Sequence, residues 1–429
     1  MSTGNGKPTL GIFGAGWVGL VTGAAFADLG HRVVVRDVVA ERIELLNDGR
    51  LPFHEPGLAE VVDRNRERLV FTLDAEQLTG AADLFFACVD TPPTASGDAD
   101  LSSVWSVIDH LGDPGESVLV MKSTVPVGTG ERIRNELDKR GLEHVGYVSN
   151  PEFLAEGRAV HAFMHPDRIV VGSFVEAHGD RVAALYDRFE APILRTSVPS
   201  AEMIKLAANA FLATRISFIN EIANVCEAVG ADVEEVAQGV GLDHRLGPHF
   251  LKAGVGFGGS CFPKDVSFLK LLAGNSGYHF QLVNAVIEVN ELQKRRVVQK
   301  LKDHLGSLRG KTIALLGLAF KPDTDDMRDA PSLVLAARLH AEGAEVRAWD
   351  ALVRGHPELD GVVVRESVLD AVRGADAAVI VTEWDELRSL PSPEVREAMR
   401  NALIVDGRNL LDPQAVRDAG FEYEGIGRA

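Results

Sequence analysis

Apolar residues in the first half of the chain come in short runs set between helix-like stretches. Leu10 to Phe13 runs apolar into glycines, Trp17 to Leu29 reads as a helix, and Arg32 to Asp37 carries Val33, Val34 and Val35 as a second strand. Asp83 to Val89 and Ser117 to Lys122 read as further buried strands, with another at Val145 to Ser149. Strand, helix, strand at this spacing implies a parallel sheet with right-handed crossovers. The rhythm then changes. From Ser200 to Val229 turn residues are scarce, and Met203, Ile204, Ala207, Ala208, Phe211 and Leu212 recur at helical spacing, which predicts a long helix. Leu282 to Leu305, stopped by Gly306, predicts another. From Lys311 the first rhythm returns, with strands at Thr312–Leu316, Glu345–Trp349, Asp376–Thr382 and Leu403–Asp406 and a helix at Ser332–Glu342. The expected fold is α/β: two Rossmann-like, doubly wound parallel-sheet lobes joined by a central long-helix region. The expected division is 1–196, 197–305 and 306–429. The regions of Leu10 and Ile313 look like a weak internal duplication. The central helices stay open to two readings, a dimerising element or plain helical packing.

Composition narrows the class. The chain has 429 residues, 46% hydrophobic and 25% charged, as in ordinary soluble domains. No apolar run approaches the roughly 20 residues of a membrane span. Met1 to Pro8 is polar and carries no signal-peptide pattern, so a cytoplasmic location without membrane attachment is expected. The three cysteines, Cys88, Cys226 and Cys261, are too scattered for a disulfide framework, and their spacing fits no zinc site. No metal is expected. The net charge of −18 argues against nucleic acid as a partner. An anionic ligand therefore needs a pocket that collects scarce cations.

Gly14-Ala15-Gly16-Trp17-Val18-Gly19 fits the dinucleotide pattern G-x-G-x-x-G between a strand and a helix. Gly14 would make the turn, Gly16 let the backbone approach a pyrophosphate, and Gly19 let helix pack on strand. Asp37 ends the second strand, 18 residues after Gly19. An acid there bonds a ribose 2′-hydroxyl and repels a 2′-phosphate, so NAD is expected over NADP; Arg36 and Arg42 flank it and soften that preference. Gly317-Leu318-Ala319-Phe320-Lys321 opens the second lobe without the second and third glycines. That argues against a second dinucleotide and leaves a strand-end crevice for another nucleotide.

Gly256-Phe257-Gly258-Gly259-Ser260-Cys261-Phe262-Pro263-Lys264-Asp265 is the most informative stretch. Its glycines would let the backbone come close to a ligand. Pro263 suits a first helical turn, which puts Cys261 at a helix N-terminus, where the dipole and Lys264 favour the nucleophilic thiolate. Asp265 has two readings, a helix cap or a group that orients a base or a water. Lys205 and Asn209 stand at i and i+4 and share a face, suited to stabilising an oxyanion. Alone, Lys205 reads more often as a solvated helix residue. Asn150-Pro151-Glu152-Phe153-Leu154-Ala155-Glu156-Gly157 follows a strand end, and its two acids suggest a base and a polar contact, or a helix-start cap.

Together with Lys122-Ser123-Thr124-Val125-Pro126, Glu202 to Asn209, Phe320 to Arg328 and Asp406-Gly407-Arg408, these blocks resemble the UDP-sugar and GDP-mannose dehydrogenases over nearly the whole chain. The resemblance implies an NAD domain, a helical dimerisation region and a C-terminal UDP lobe. It implies oxidation of UDP-glucose through a thioester on Cys261, with GDP-mannose or a UDP-N-acetylhexosamine as alternative substrates. Lys205 and Asn209 would stabilise the oxyanion, Asp265 and Thr124 position water, and Glu152 act as base or water partner. Cofactor contacts would include Gly14, Gly16, Gly19, Asp37, Arg42, Thr91, Thr124, Glu156 and Arg328. Substrate contacts would come from Phe153, Leu154, Glu156, Lys205 and Asn209. They would also come from Arg245 (reaching a neighbouring subunit), Phe250, Lys252, Gly258, Phe320, Lys321 and Arg408. Asp90-Thr91-Pro92 departs slightly from the Asn-Thr-Pro usual in that cofactor loop.

Overall fold

The computed structural model describes residues 6–428. It forms two compact units. The first runs to Ala208 and takes back Ser267–Gly277; the second comprises Asn209–Val266 and the chain from Tyr278 onward.

The first unit is built on eight strands: β1 (Leu10–Phe13), β2 (Val33–Arg36), β3 (Leu69–Thr72), β4 (Leu84–Ala87), β5 (Val118–Met121), β6 (Gly146–Ser149), β7 (Ile169–Ser173) and β8 (Ile193–Thr196). Their order is β3-β2-β1-β4-β5-β6-β7-β8, parallel except between β6 and β7. The first six follow the Rossmann order, whose winding reverses between β1 and β4, and the crevice at such a reversal is where ligands bind. Register puts Leu10 opposite both Val33 and Leu84. Helix α1 (Trp17–Asp28) lies against β1 and β2 and is buried over most of its length. Small residues allow this: a Cβ at Gly23 would come within 3.2 Å of Val35. Helix α2 (Thr129–Lys139) follows β5.

The second unit holds six parallel strands: β9 (Thr312–Leu316), β10 (Glu345–Trp349), β11 (Val363–Val364), β12 (Ala377–Ile380), β13 (Leu403–Asp406) and β14 (Glu422–Glu424). Their order, β11-β10-β9-β12-β13-β14, repeats the first pattern. The 32-residue helix α3 (Val198–Val229) leads from the first unit into the second in sequence. It is followed by α4 (Phe262–Asn275), α5 (Gln281–Leu305) and α6 (Pro331–Ala341). Ile219, Ala223 and Cys226 of α3 share a core with Val297 and Leu301 of α5 and with the β9 strand.

The expected α/β fold with two Rossmann-like sheets and long central helices is what the chain adopts. Five strands were not read from the sequence: β3, β7, β8, β11 and β14. Four of these are sheet edges. Edge strands bury less, so their apolar pattern is weak; Leu194 and Arg195 of β8, for example, are exposed. No helix among the described residues is long and apolar enough to cross a membrane.

Candidate active site

The turn after β1 separates the roles of its glycines. Gly14 has φ +101°, and a Cβ there would meet the Cys88 carbonyl oxygen at 2.5 Å. A Cβ at Gly19 would lie 1.9 Å from the Gly14 carbonyl oxygen. At Gly16 nothing lies within 4 Å. The protein's own backbone thus demands the first and third glycines, while the second faces open space beside the N-terminus of α1, which no side chain caps. That is the room and the field a pyrophosphate needs.

Asp37 follows β2. Its Oδ2 accepts the Ala15 N–H at 2.6 Å and Arg42 Nη1 at 2.8 Å, and its Oδ1 accepts the Val39 N–H at 2.9 Å. Burial pushes the carboxyl up, but these donors outweigh it and hold Asp37 below the ordinary carboxylate range. A fixed anion at this point suits a 2′-hydroxyl, and Arg42, tied to Asp37, is not held out for a 2′-phosphate. Thr91 Oγ1 donates to the Thr124 carbonyl at 2.8 Å, and Ser123 Oγ to the Val89 carbonyl at 2.7 Å, so the loops after β4 and β5 are fastened together.

The Asn150–Gly157 loop carries a buried ion pair. Lys205 Nζ donates to Glu152 Oε1 at 2.8 Å, and the Leu154 N–H donates to Oε2 at 2.5 Å. Burial pushes Glu152 up, yet Lys205 above all, with the Leu154 amide and Lys122, brings it below its ordinary range. Lys205 is therefore not a solvated helix residue. Lys122 Nζ donates to Asn150 Oδ1 at 3.1 Å and to the Tyr186 hydroxyl at 3.2 Å; burial lowers it to about 8. Lys122, Asn150, Glu152, Phe153, Arg168 and Tyr186 line a cavity of about 70 Å³. The Arg168 guanidinium lies 3.7 Å from the Phe153 ring centre. Glu156 is buried and Leu154 half-buried. The sequence reading assigned no role to Glu55, which accepts Trp17 Nε1 and the Gly157 and Ala159 amides at 2.7 to 2.8 Å. It holds this loop to the start of α1. Its one signal was an acid inside the turn-rich His54-Glu55-Pro56-Gly57.

In the second unit Cys261 immediately precedes α4 and is half-buried, its Sγ 3.5 Å from Ser260 Oγ. Cys88 and Cys226 are buried, and burial pushes Cys88 up to about 12, which makes it inert. Asp265, one turn into α4, is fully buried. Asn209 Nδ2 donates to its Oδ2 at 2.6 Å, and Lys264 Nζ lies 2.8 Å from its Oδ1. Asp265 thus has a side chain at each oxygen, Asn209 at one and Lys264 at the other. Lys264, expected to favour the thiolate, also shares its charge with Asp265.

The glycines before Cys261 lie against protein on one face. A Cβ at Gly258 would meet the Asp329 carbonyl at 2.3 Å, one at Gly259 the Phe320 ring at 2.7 Å, and one at Gly256 the Asn290 side chain at 2.6 Å. These faces are filled by protein, so the glycines allow close packing there. Arg408 donates to the carbonyls of Val381, Gly256 and Phe320 at 2.7, 3.1 and 3.3 Å, bracing three loops. Arg328 pairs with Asp326 and Arg245 with Asp243, both largely exposed. Lys252 is exposed, Phe250 rests its ring 6.2 Å from that of Phe262, and Lys321 Nζ lies 5.4 Å from the Phe320 ring centre.

A glycine turn with one open face, an anchored acid after the next strand and an uncapped helix N-terminus define a dinucleotide-binding protein with the acid that suits NAD. Known proteins narrow the class. The NAD binding domain of the UDP-glucose/GDP-mannose dehydrogenase family matches residues 9–190, its central domain 199–292 and its UDP binding domain 314–413. The UDP-glucose 6-dehydrogenase TuaD of Bacillus subtilis is 44% identical, covering 98% of this chain and 93% of that protein. A UDP-glucose 6-dehydrogenase of Pseudomonas aeruginosa is 43% identical over 97% of each. Among solved structures, a UDP-glucose dehydrogenase from Pyrobaculum islandicum superposes with a TM-score of 0.91 at 36% identity, covering 100% of both chains. The chain belongs to the UDP-glucose/GDP-mannose dehydrogenase family, and its cofactor is NAD.

Proposed function

We propose that this enzyme oxidises the C6 hydroxyl of UDP-glucose to the carboxylate of UDP-glucuronate, with Cys261 as covalent nucleophile. The observation that carries the covalent route is the placement of Cys261: half-buried at the N-terminus of α4, with Asp265 one turn on and bonded to Asn209. The choice of sugar rests on the near full-length likeness to proteins named UDP-glucose 6-dehydrogenase. The match to a UDP binding domain favours a uridine nucleotide over GDP-mannose. UDP-N-acetylhexosamines are the remaining alternative.

Alcohol to acid removes four electrons, so NAD, when bound, accepts one hydride from C6 in each of two successive steps. The residues of the chain do the rest. Lys205, paired with Glu152, and the Asn209 amide stabilise the oxygen at C6 as it becomes anionic. The Cys261 thiolate adds to the aldehyde carbon, forming a C–S bond and a thiohemiacetal. Loss of the second hydride leaves a thioester. Water positioned by Asp265 and Thr124 hydrolyses it, breaking the C–S bond, releasing the carboxylate and restoring the thiol. Glu152 is held below its ordinary range, which makes it a weak base at neutral pH. Its part is to hold Lys205 and order water.

The reading extends to assembly and place. Phe211, Phe218 and Val225 are 63%, 52% and 57% exposed and recur every seventh residue along α3, and Val229 follows at 70%. A stripe of this kind suits a second copy of the same helix, hence a homodimer. Segments 1–196, 197–305 and 306–429 would serve as NAD, dimerisation and UDP domains, in the cytoplasm where nucleotide sugars are made.

Cys261→Ser tests the covalent route. It should bind UDP-glucose within about threefold of wild type by calorimetry and form no NADH in steady state. Normal turnover by that variant would sink the proposal.

A further inference from the structure

Helix α2 begins just after the Ser123–Thr124 loop and has no cap of its own: its N-cap, Gly128, has φ +94° and no side chain to offer. The cap comes from another helix. Glu202, near the start of α3, is buried; its Oε2 accepts the Gly128 N–H and its Oε1 the Gly130 N–H, each at 2.8 Å. The approach is tight. A Cβ at Gly130 would meet Val198 Cγ1 at 2.4 Å, Tyr147 Cε1 at 2.7 Å and Glu202 Oε1 at 3.1 Å. One turn beyond Glu202, α3 presents Lys205 to Glu152. Successive turns of one helix thus hold the loop of Thr124 and carry the lysine.

We propose that Glu202 is a positioning residue, which as a carboxylate fixes the Thr124 loop relative to Lys205. The inference rests on the reading above, in which Thr124 and Lys205 serve one reaction. An ionised Glu202 accepts both amides, whereas a protonated one turns an oxygen into a donor aimed at an N–H. Burial, reinforced by Glu131 of α2, pushes Glu202 up to about 7. The other titratable group facing it is the Tyr147 hydroxyl of β6, buried and without a hydrogen-bond partner among the described residues. The clamp is therefore closed above about pH 7 and opens below it.

The test is kcat and KM against pH for the wild type, Glu202→Gln and Glu202→Asp. Gln offers one acceptor where two are needed, and Asp is too short to reach both amides. Misplacing a reacting group by about 1 Å costs up to about a hundredfold. Wild-type kcat should fall about tenfold as pH drops through about 7. Glu202→Gln should stay at the low value at every pH, with KM for UDP-glucose within about twofold. Wild-type kcat and an unchanged acid limb in Glu202→Gln would overturn the inference. If that variant does not fold, amide exchange of residues 128–131 in the wild type decides. After correction for intrinsic rates it should quicken below about pH 7, and pH-independent protection overturns the inference. The yield of NADH per UDP-glucose in the wild type judges the underlying reading separately, because Glu202 changes the rate and not the yield.

Discussion

After β1 the chain turns at Gly14, and after β9 it turns at Gly317, with φ of +101° and +95°. Each turn is pressed against the chain at the end of the strand that follows the winding reversal: a Cβ at Gly14 would meet Cys88, and one at Gly317 would meet Thr382 at 2.4 Å. Each is anchored by an acid after the next strand. There the likeness ends. Asp37 accepts one amide of the turn, the Val39 N–H and Arg42. Asp350 is saturated, with Leu318 N, Ala319 N and Trp384 Nε1 on Oδ2 and the Leu352 and Val353 amides on Oδ1. Helix α1 starts at Trp17, three residues after its turn, while α6 waits until Pro331. The intervening loop packs through Phe320 and Asp329 on the glycines before Cys261. One turn geometry thus serves two ends. In the first lobe it leaves a helix terminus open for a dinucleotide; in the second it supports the loop that carries Cys261.

The sharpest break between the lobes should come from the two glycines that have no room. Gly19→Ala should lower NAD affinity about a hundredfold by calorimetry while UDP-sugar binding stays within about twofold. Gly317→Ala should do the reverse. It should leave NAD affinity alone, lose the UDP-sugar and cost about 2–4 kcal/mol in urea unfolding, since both φ and space forbid the methyl group. Equal losses of both ligands in either variant would dissolve the comparison. Next in size are the acids. Asp350→Asn should cost about 2–3 kcal/mol, because an amide nitrogen cannot accept, with the KM for NAD unchanged. Asp37→Asn should instead raise the KM for NAD about tenfold.

Acidity separates the acids more finely. Asp37 is lowered in the folded state, so its contribution to stability is present above the ordinary carboxylate pKa and is lost as pH falls through the lowered one. Thermal melts below about pH 4 should therefore show a steeper loss in the wild type than in Asp37→Asn. Parallel curves would remove the ion pair from the account. The smallest effect should be that of Arg42→Ala, which frees Asp37 and should change the preference for NAD over NADP by only a few-fold, read as a ratio of kcat/KM.

All inner strands but β7 were legible, because burial on both faces leaves unbroken apolar runs, such as Val33-Val34-Val35 and Phe85-Phe86. The edges were not, and three of the four expose residues to solvent, among them Leu194 of β8, Val363 of β11 and Glu422 of β14. In the site, the dinucleotide turn was legible since its glycines answer local steric demands. The i, i+4 spacing of Lys205 and Asn209 was also legible, because it lies within one helix. What could not be read was set by contacts distant in sequence. The Lys205–Glu152 pair spans 53 residues, and the Glu55 clamp on Gly157 and Ala159 spans more than 100. The partners of Gly258 and Arg408 lie in loops of the second lobe. There the sequence shows a glycine or an arginine, and only the folded chain shows which protein groups it meets.

The most direct test of the central claim is the amount of NADH formed per UDP-glucose when the sugar is limiting. Cysteine-bound oxidation through aldehyde and thioester predicts a ratio of two. A ratio of one would mean that the reaction stops at a carbonyl product, and Cys261 would have no covalent role.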